Sequence, residues 1–498
     1  MDATQVDVST FFHNIWKLLS DYPVDLQFNS GLFWCLFIVF LPIYGLLKSR
    51  RRMMTVYVIA FSLYFFFRQN GLYFLLLVGT SLIDWFLARQ INDETSRKMK
   101  RFWLSVSIIL SVGTLAFFKY SNFLIFNINE LIKTNFQFLD LVLPLGISFY
   151  TFKTISYVVD VYKGKIEPAS NWLDYLFYLS FFPALVMGPI VRASHFLPQL
   201  KENKKPSKEM VYSGFWLVLM GVIKKAVFAN YFSQYTMIAF GTAHGYSGFE
   251  LAMAALGFTM QIYCDFSGYS DMAIGLGRIM GFDLGINFNF PYRSLNVTEF
   301  WKRWHITLSN WLMDYVYIPL GGNRKGKPRQ YFNLMTTMLI GGLWHGAAWN
   351  YIVWGGVHGV ALIFHKMTKK PLDAILPSEN KAVKFVSWLV TFIFIVVTMT
   401  IFGAGADSLE TAWIVIKKSF TEFDIAYLPP FFQARQTWCY LIIIIFALHF
   451  VPTRVYERVS QWFVKSNWLA KFFVFVIVVQ LVIQFSTAEV QPFIYNQF

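Results

Sequence analysis

The stretch "TTMLIGGLWHGAAWNYIVWGGV", Thr336–Val357, sets a single histidine, His345, between two apolar runs. An ionisable side chain at membrane depth is costly, and it faces a bundle interior or a water-filled path. The helix leading into His345 reads as Tyr331–Leu343, only 13 residues. That is roughly 20 Å at 1.5 Å per residue, short of a ~30 Å hydrocarbon core. The spacing therefore predicts that His345 sits part-way through a bilayer, at a glycine-flanked break before the next helix. Histidine is the side chain whose charge changes near neutral pH, so this placement suits a general base or a proton relay.

The rest of the chain supports a membrane reading. Of its 498 residues, 56% are hydrophobic and 14% charged, against roughly 25% charged in soluble domains. Long apolar runs recur from end to end, which predicts an all-α polytopic membrane protein. The net charge of +15 is gathered in short loops, "KSRRR" (48–52), "SRKMKR" (96–101) and "KENKKPSK" (201–208). Basic loops between apolar segments follow the positive-inside rule and face anionic cytoplasmic lipid, so nucleic acid is excluded as a partner. Three scattered cysteines, Cys35, Cys264 and Cys439, fit neither a disulfide framework nor a zinc pattern. Asp2 and Asp7 precede "FFHNIWKLL", so residues 1–30 read as an interfacial amphipathic helix and not as a cleaved signal.

Four regions follow: the interfacial segment 1–30, N-terminal transmembrane helices over 31–135, a core over 136–370 with re-entrant pieces, and C-terminal transmembrane helices over 371–498. Spans are expected near Gly31–Leu47, Val56–Phe67, Gly71–Ala88, Phe102–Phe118 and Leu141–Val161. Further spans fall near Val383–Phe402, Thr437–Val451 and Phe472–Phe485, with about eleven crossings in all. Alternation fails at Trp172–Val191, which should end outside yet runs into the most basic loop. Its "FFPALVMGPI" places Pro183 and Pro189 in what would be helix interior, where proline breaks the backbone ladder. A re-entrant hairpin repairs the parity, and irregular backbone at that depth must be buried in protein or line a cavity.

Two motifs mislead. "GGNRKGKP" (321–328) has phosphate-loop spacing, but Pro328 replaces the hydroxyl residue that holds magnesium, and no strand precedes it. We read it as a basic cytoplasmic loop, with Arg324, Lys325 and Lys327 able to attract a phosphate-bearing donor. Gly277 and Gly281 have the small-xxx-small spacing of close helix packing. His358 and His365 are too far apart along a helix for a metal pair, and no acidic residue stands at ligand spacing, so no metal site is expected.

Loops and aromatic belts leave Asp265, Asp271, Arg303, His305, Asp314 and His345 unexplained. Arg303 and His305 have an interfacial alternative, Asp265 and Asp314 have structural ones, as partners of arginine or of backbone amides, and His345 has that of a hydrogen-bonded structural imidazole. Trp301, Trp344 and Asn310, beside the histidines in sequence, are candidates for supporting roles.

At these residues the chain resembles the membrane-bound O-acyltransferase (MBOAT) family, in its bacterial polysaccharide O-acetylation branch. The stretches that carry the resemblance are "LPLGISFYTFKTISYVVDVYKG" (143–164), "SFFPALVMGPIVR" (180–192), "QIYCDFSGYSDMAIGLG" (261–277), "TEFWKRWHITLSNWLMDYVYIPLGGNRKG" (298–326) and "GGLWHGAAWNYIVWGGVHG" (341–359). Two WH pairs 40 residues apart, with a PLGGNR loop between them, form the specific part of the signature. The resemblance implies the MBOAT fold, about eleven transmembrane helices with re-entrant and interfacial pieces around a central tunnel. It places His345 at the family's invariant histidine and His305 at the second polar position, the catalytic pair. It further implies a thioester donor (acyl-CoA or an acyl carrier protein), no bound cofactor, a polysaccharide acceptor and a periplasmic SGNH-like acetyltransferase as partner. The implied location is the bacterial inner membrane. Met313 stands where relatives commonly carry arginine, so the motif itself supplies no ion-pair partner for Asp314. "FFFRQNG" (65–71) likewise lacks their usual Trp-Gly turn.

Overall fold

A computed structural model describes residues 26–28, 30–375, 380–404 and 409–485. The interfacial segment expected over 1–30 lies almost wholly outside them. Among the described residues all regular structure is helical. The α-helices are α1 (Gly31–Leu47), α2 (Arg51–Asn70), α3 (Phe74–Asp93), α4 (Arg97–Ile132), α5 (Ile147–Tyr162), α6 (Trp172–Ser180), α7 (Ala193–Glu202), α8 (Lys208–Val222), α9 (Asn230–Gly241) and α10 (Gly248–Met280). They continue with α11 (Val297–Arg303), α12 (Ile306–Leu312), α13 (Gly326–His345), α14 (Trp349–Ile375), α15 (Lys381–Gly403), α16 (Leu409–Thr421), α17 (Leu428–Ala434), α18 (Gln436–Phe450), α19 (Thr453–Lys465) and α20 (Trp468–Phe485). Two units form. One holds the chain up to Gly113 with Val142–Val186 and Ala193–Asn203; the other holds Thr114–Leu141, Met187–Arg192 and everything from Lys204 onward.

In the first unit the apolar stretch from Trp172 is not one spanning helix. The Asn171 side chain caps α6 by accepting the Asp174 N–H at 2.9 Å, and the helix ends after nine residues, about 13 Å of rise. The chain then turns at Phe182–Ala184, with the Phe182 N–H donating to Ser62 Oγ at 3.3 Å. The Phe182 ring packs among Phe28, Phe33, Phe37, Phe40, Phe61 and Phe65 at 5.1–6.4 Å. Broken backbone is thus sheathed in aromatic protein and not in lipid, as backbone at that depth requires.

In the second unit α10, 33 residues long, is the central post. A capping box between Ser247 and Glu250 starts it, and Gly281 in the left-handed conformation ends it. Gly281 is therefore a helix stop and not a packing glycine. Close packing falls instead on Gly268 and Gly275, which meet Gly221 and Gly214 of α8. A Cβ on Gly221 would stand 2.5 Å from the Gly268 carbonyl oxygen, and one on Gly275 2.5 Å from that of Gly214. Between α8 and α9 a seven-residue π-helical turn, Ile223–Ala229, presents two successive lysines to α10. Lys224 pairs with Asp271 and Lys225 with Asp265, each at 2.6 Å.

Helix α13 corrects the sequence reading. It begins at Gly326 and runs 20 residues, about 30 Å, because a proline in the first turn is compatible with helix. Its length therefore no longer argues that His345 lies at mid-depth. The break remains: α13 ends at His345, Gly346 is extended at φ −161°, and α14 starts at Trp349. Among the described residues, five helical stretches are long and apolar enough to cross a membrane, Arg51–Asp93, Arg97–Ile132, Lys208–Gly241, Lys381–Gly403 and Trp468–Phe485. Ile425–Ala434 and Gln436–Phe450, bent by 105°, form one further broken candidate.

Candidate active site

The last carbonyls of a helix have no partner within it. At the end of α13 they are taken by α4. Lys119 Nζ donates to the Trp344 and His345 carbonyl oxygens at 2.6 and 2.9 Å, and Tyr120 Oη to that of Leu343 at 2.7 Å. A cation at a helix C-terminus also complements the macrodipole. These bonds hold the backbone that carries the buried His345 ring. That ring stands edge-to-face with Trp344, Trp354 and Phe402 at 5.0, 5.2 and 5.2 Å.

His305 lies between α11 and α12 with φ 42°, a left-handed conformation uncommon outside glycine and worth reading as imposed by its surroundings. Fully buried, its ring meets Phe266 of α10 edge-on at 4.6 Å and Trp344 at 5.9 Å. His305 Nδ1 is 3.1 Å from Asn287 Oδ1. Fold thus brings the two histidines, 40 residues apart in sequence, into contact with the same indole, Trp344. The series continues. Trp354 separates His345 from a third buried imidazole, His358, at ring distances of 5.2 and 4.8 Å. The Trp301 indole N–H donates to His358 Nδ1 at 3.3 Å. An indole can only donate, so the neutral His358 ring carries its own hydrogen on Nε2.

The remaining sequence candidates divide. Trp344 joins the pair directly, and Trp301 reaches the site through His358. Asp265 is held by Lys225, and the next residue, Phe266, is the one that meets His305. Asp314 takes Arg192 at 3.2 Å, the arginine that the motif around Met313 lacks, and the Arg192 guanidinium also lies 4.4 Å above the Tyr315 ring. Arg303 pairs with Glu299 one turn back at 2.9 Å, away from the histidines. Asn310 is exposed on α12 and is not brought to them. Arg324, Lys325 and Lys327 are exposed where the loop enters α13. His365 bonds Thr298 Oγ1 through Nδ1 at 2.8 Å. Among the described residues no group of three His, Cys, Asp or Glu side chains is arranged to hold a metal ion.

Sequence reasoning missed Lys119, Tyr120, Asn287, Arg192, Lys225 and the place of His358. For Lys119, and for Lys224 with Lys225, a signal existed, since each interrupts an apolar helix. Asn287 gave none, because an asparagine in "LGINFNF" reads as a turn residue.

A helical chain with several stretches able to cross a membrane, and with imidazoles buried at a helix break, defines a polytopic membrane protein with ionisable side chains inside its bundle. Comparison with known sequences identifies which one. Residues 166–404 match the sequence profile of the MBOAT, membrane-bound O-acyltransferase family. The chain is 37% identical over 425 residues to the peptidoglycan O-acetyltransferase of Helicobacter pylori, covering 79% of each. It is 33% identical over 499 residues to the probable alginate O-acetylase AlgI of Pseudomonas putida, covering 95% of this chain and 100% of that one. The teichoic acid D-alanyltransferase of Bacillus subtilis is 29% identical over 280 residues, 53% of this chain and 69% of that one. The protein belongs to the membrane-bound O-acyltransferase family and is an O-acyltransferase.

Proposed function

We propose that this enzyme moves an acyl group, most simply acetyl, from a cytoplasmic thioester to hydroxyls of an extracytoplasmic polysaccharide. The observation that carries the reading is the contact of both His305 and His345 with Trp344, in a chain whose relatives at 33–37% identity are O-acetylating enzymes by name. His345 takes the proton of the acceptor hydroxyl, whose oxygen bonds to the thioester carbonyl carbon. The tetrahedral intermediate expels the thiolate, and the proton passes from His345 to that sulfur. General-base catalysis supplies about 10²–10⁴-fold, and positioning in a dry site supplies the rest. His305 supports this chemistry, with Trp301 and Trp344 fixing the rings.

The donor is acyl-CoA or an acyl carrier protein, drawn to the cytoplasmic face by Arg324, Lys325 and Lys327. The attacking hydroxyl lies outside the bacterial inner membrane, on the polysaccharide itself or on a periplasmic SGNH-like acetyltransferase that relays the group onward to it. D-alanyl transfer to teichoic acid is the second reading. The shorter, weaker likeness to that class and the PLGGNR loop favour polysaccharide O-acetylation. Transport of an acylated carrier without bond chemistry would leave both buried histidines idle.

The test is transfer of label from radiolabelled acetyl-CoA by purified protein in proteoliposomes, with and without a glycan acceptor. Turnover in wild type, lost in folded His345→Ala, is the expected result. Label that crosses the bilayer still attached to coenzyme A, equally in His345→Ala and His305→Ala, would replace the enzyme reading with a transporter.

A further inference from the structure

Which nitrogen of His305 carries the hydrogen is decided by Asn287, a side chain no motif marks. Asn287 is buried and its Oδ1 gathers three neighbours. The Thr307 backbone N–H donates to it at 3.3 Å and the Thr307 hydroxyl at 2.8 Å, with His305 Nδ1 at 3.1 Å. A backbone N–H can only donate, so the atom it meets is the amide oxygen and not the amide nitrogen. The Thr307 hydroxyl is oriented in turn, since its oxygen already accepts the Ile190 N–H at 3.0 Å. On the other side Asn287 Nδ2 donates to Ser270 Oγ on α10 at 3.1 Å. The Asn287 carbonyl also accepts the Ile306 N–H at 2.9 Å. Side chain and backbone are thus held from Met187–Arg192, α10 and α12 at once. Facing an oxygen, His305 Nδ1 must be the N–H, and the lone pair of the neutral ring falls on Nε2. That nitrogen is buried and has no partner among the described residues.

We propose that Asn287 is a positioning residue that locks His305 as the Nδ1–H tautomer, so that Nε2 receives a hydrogen bond from an O–H or N–H group of a bound substrate. This rests on the O-acyl transfer reading above and narrows it. A neutral His305 in this tautomer cannot donate to a developing oxyanion, and no bond is made or broken at it. The left-handed backbone at His305 belongs to the same device, because it turns the ring back toward Asn287 while α12 starts.

The test joins a spectrum to a rate. Protein labelled with ¹⁵N-histidine contains eight histidines, and the difference from His305→Gln identifies the His305 signals. A protonated Nδ1 and an unprotonated Nε2 are expected in wild type; the reverse pattern would overturn the proposal. Asn287→Leu should scramble that pattern and lower transfer about 10- to 10²-fold, as expected when a positioned group is released. Asn287→Asp, which keeps an acceptor oxygen at the same place, should restore both. Wild-type transfer in folded Asn287→Leu would also overturn it. The spectrum reads the tautomer whether or not label is transferred. Failure of the acyltransferase reading, seen as no transfer by wild type, is therefore distinguishable from failure of the Asn287 assignment.

Discussion

Replacing Lys119 by methionine tests whether α4 holds the end of α13, the helix that carries the proposed base His345. The substitution keeps the aliphatic volume and deletes two ammonium-to-carbonyl bonds of 2.6 and 2.9 Å. Hydrogen bonds to charged groups contribute about 1.5–3 kcal/mol each, so about 3–6 kcal/mol of attraction is removed. Against this, a half-buried ammonium no longer has to be desolvated, a cost of several kcal/mol per ion. The two terms largely offset in stability, leaving about 1–2 kcal/mol. They do not offset in geometry. The freed carbonyls belong to Trp344 and His345, and a displacement of about 1 Å at a reacting group costs about 10²-fold in rate. The expected signature is therefore asymmetric: kcat falls about 10²-fold while the thermal midpoint moves by only a few degrees. Initial rates with saturating donor, beside melting followed by tryptophan fluorescence, measure both. Tyr120→Phe removes one neutral bond worth about 1 kcal/mol, about fivefold if expressed wholly in kcat. A Lys119→Met enzyme with wild-type kcat would refute the reasoning, as would one whose activity falls only as it unfolds.

Three further predictions concern the frame and the donor. Lys225→Met should destabilise by about 3–5 kcal/mol because it takes the lysine cation away from the buried Asp265 carboxylate; adding Asp265→Leu should recover most of that loss, and a single variant that melts like wild type would count against the pair. Gly221→Ala should cost about 1–3 kcal/mol by forcing α8 from α10, whereas Gly113→Ala, whose Cβ meets nothing within 4 Å, should be neutral or slightly stabilising in the same melt. Changing Arg324, Lys325 and Lys327 together to glutamine should raise KM for acetyl-CoA more than it lowers kcat. That difference should shrink at high salt, and an unchanged KM at low salt would remove the loop from donor capture.

Much of the architecture was legible because hydropathy is a local property. The spans expected near Val383–Phe402 and Phe472–Phe485 are the crossing helices Lys381–Gly403 and Trp468–Phe485, because runs of apolar side chains can satisfy their backbone in lipid only as helix; Gly31–Leu47 forms as a shorter apolar helix. The break inside Trp172–Val191 followed from Pro183, whose missing N–H cannot serve a helical ladder. The break at His345 was foreseen from its flanking glycines, although the start of α13 was misplaced by five residues. Polar residues in "GKPRQ" looked like loop, yet they are helix, since a first turn tolerates both proline and unpaired N–H groups.

By itself, then, the sequence determined an all-helical membrane chain, the presence of His305 and His345 in unusual surroundings, and the family to which they point. Each of these depends on residue type and short-range spacing. Tertiary structure alone decided what the polar groups meet. Asp314 meets Arg192 from 122 residues away, and Lys119 reaches carbonyls more than 220 residues onward. Asn310, five residues from His305, points elsewhere. In a bundle, side chains are paired by which helix faces meet, and buried hydrogen bonds and ion pairs have no sequence period to betray them. The tautomer of His305 is the sharpest case, since it is set by an oxygen 18 residues upstream whose orientation depends on three separate segments packing together.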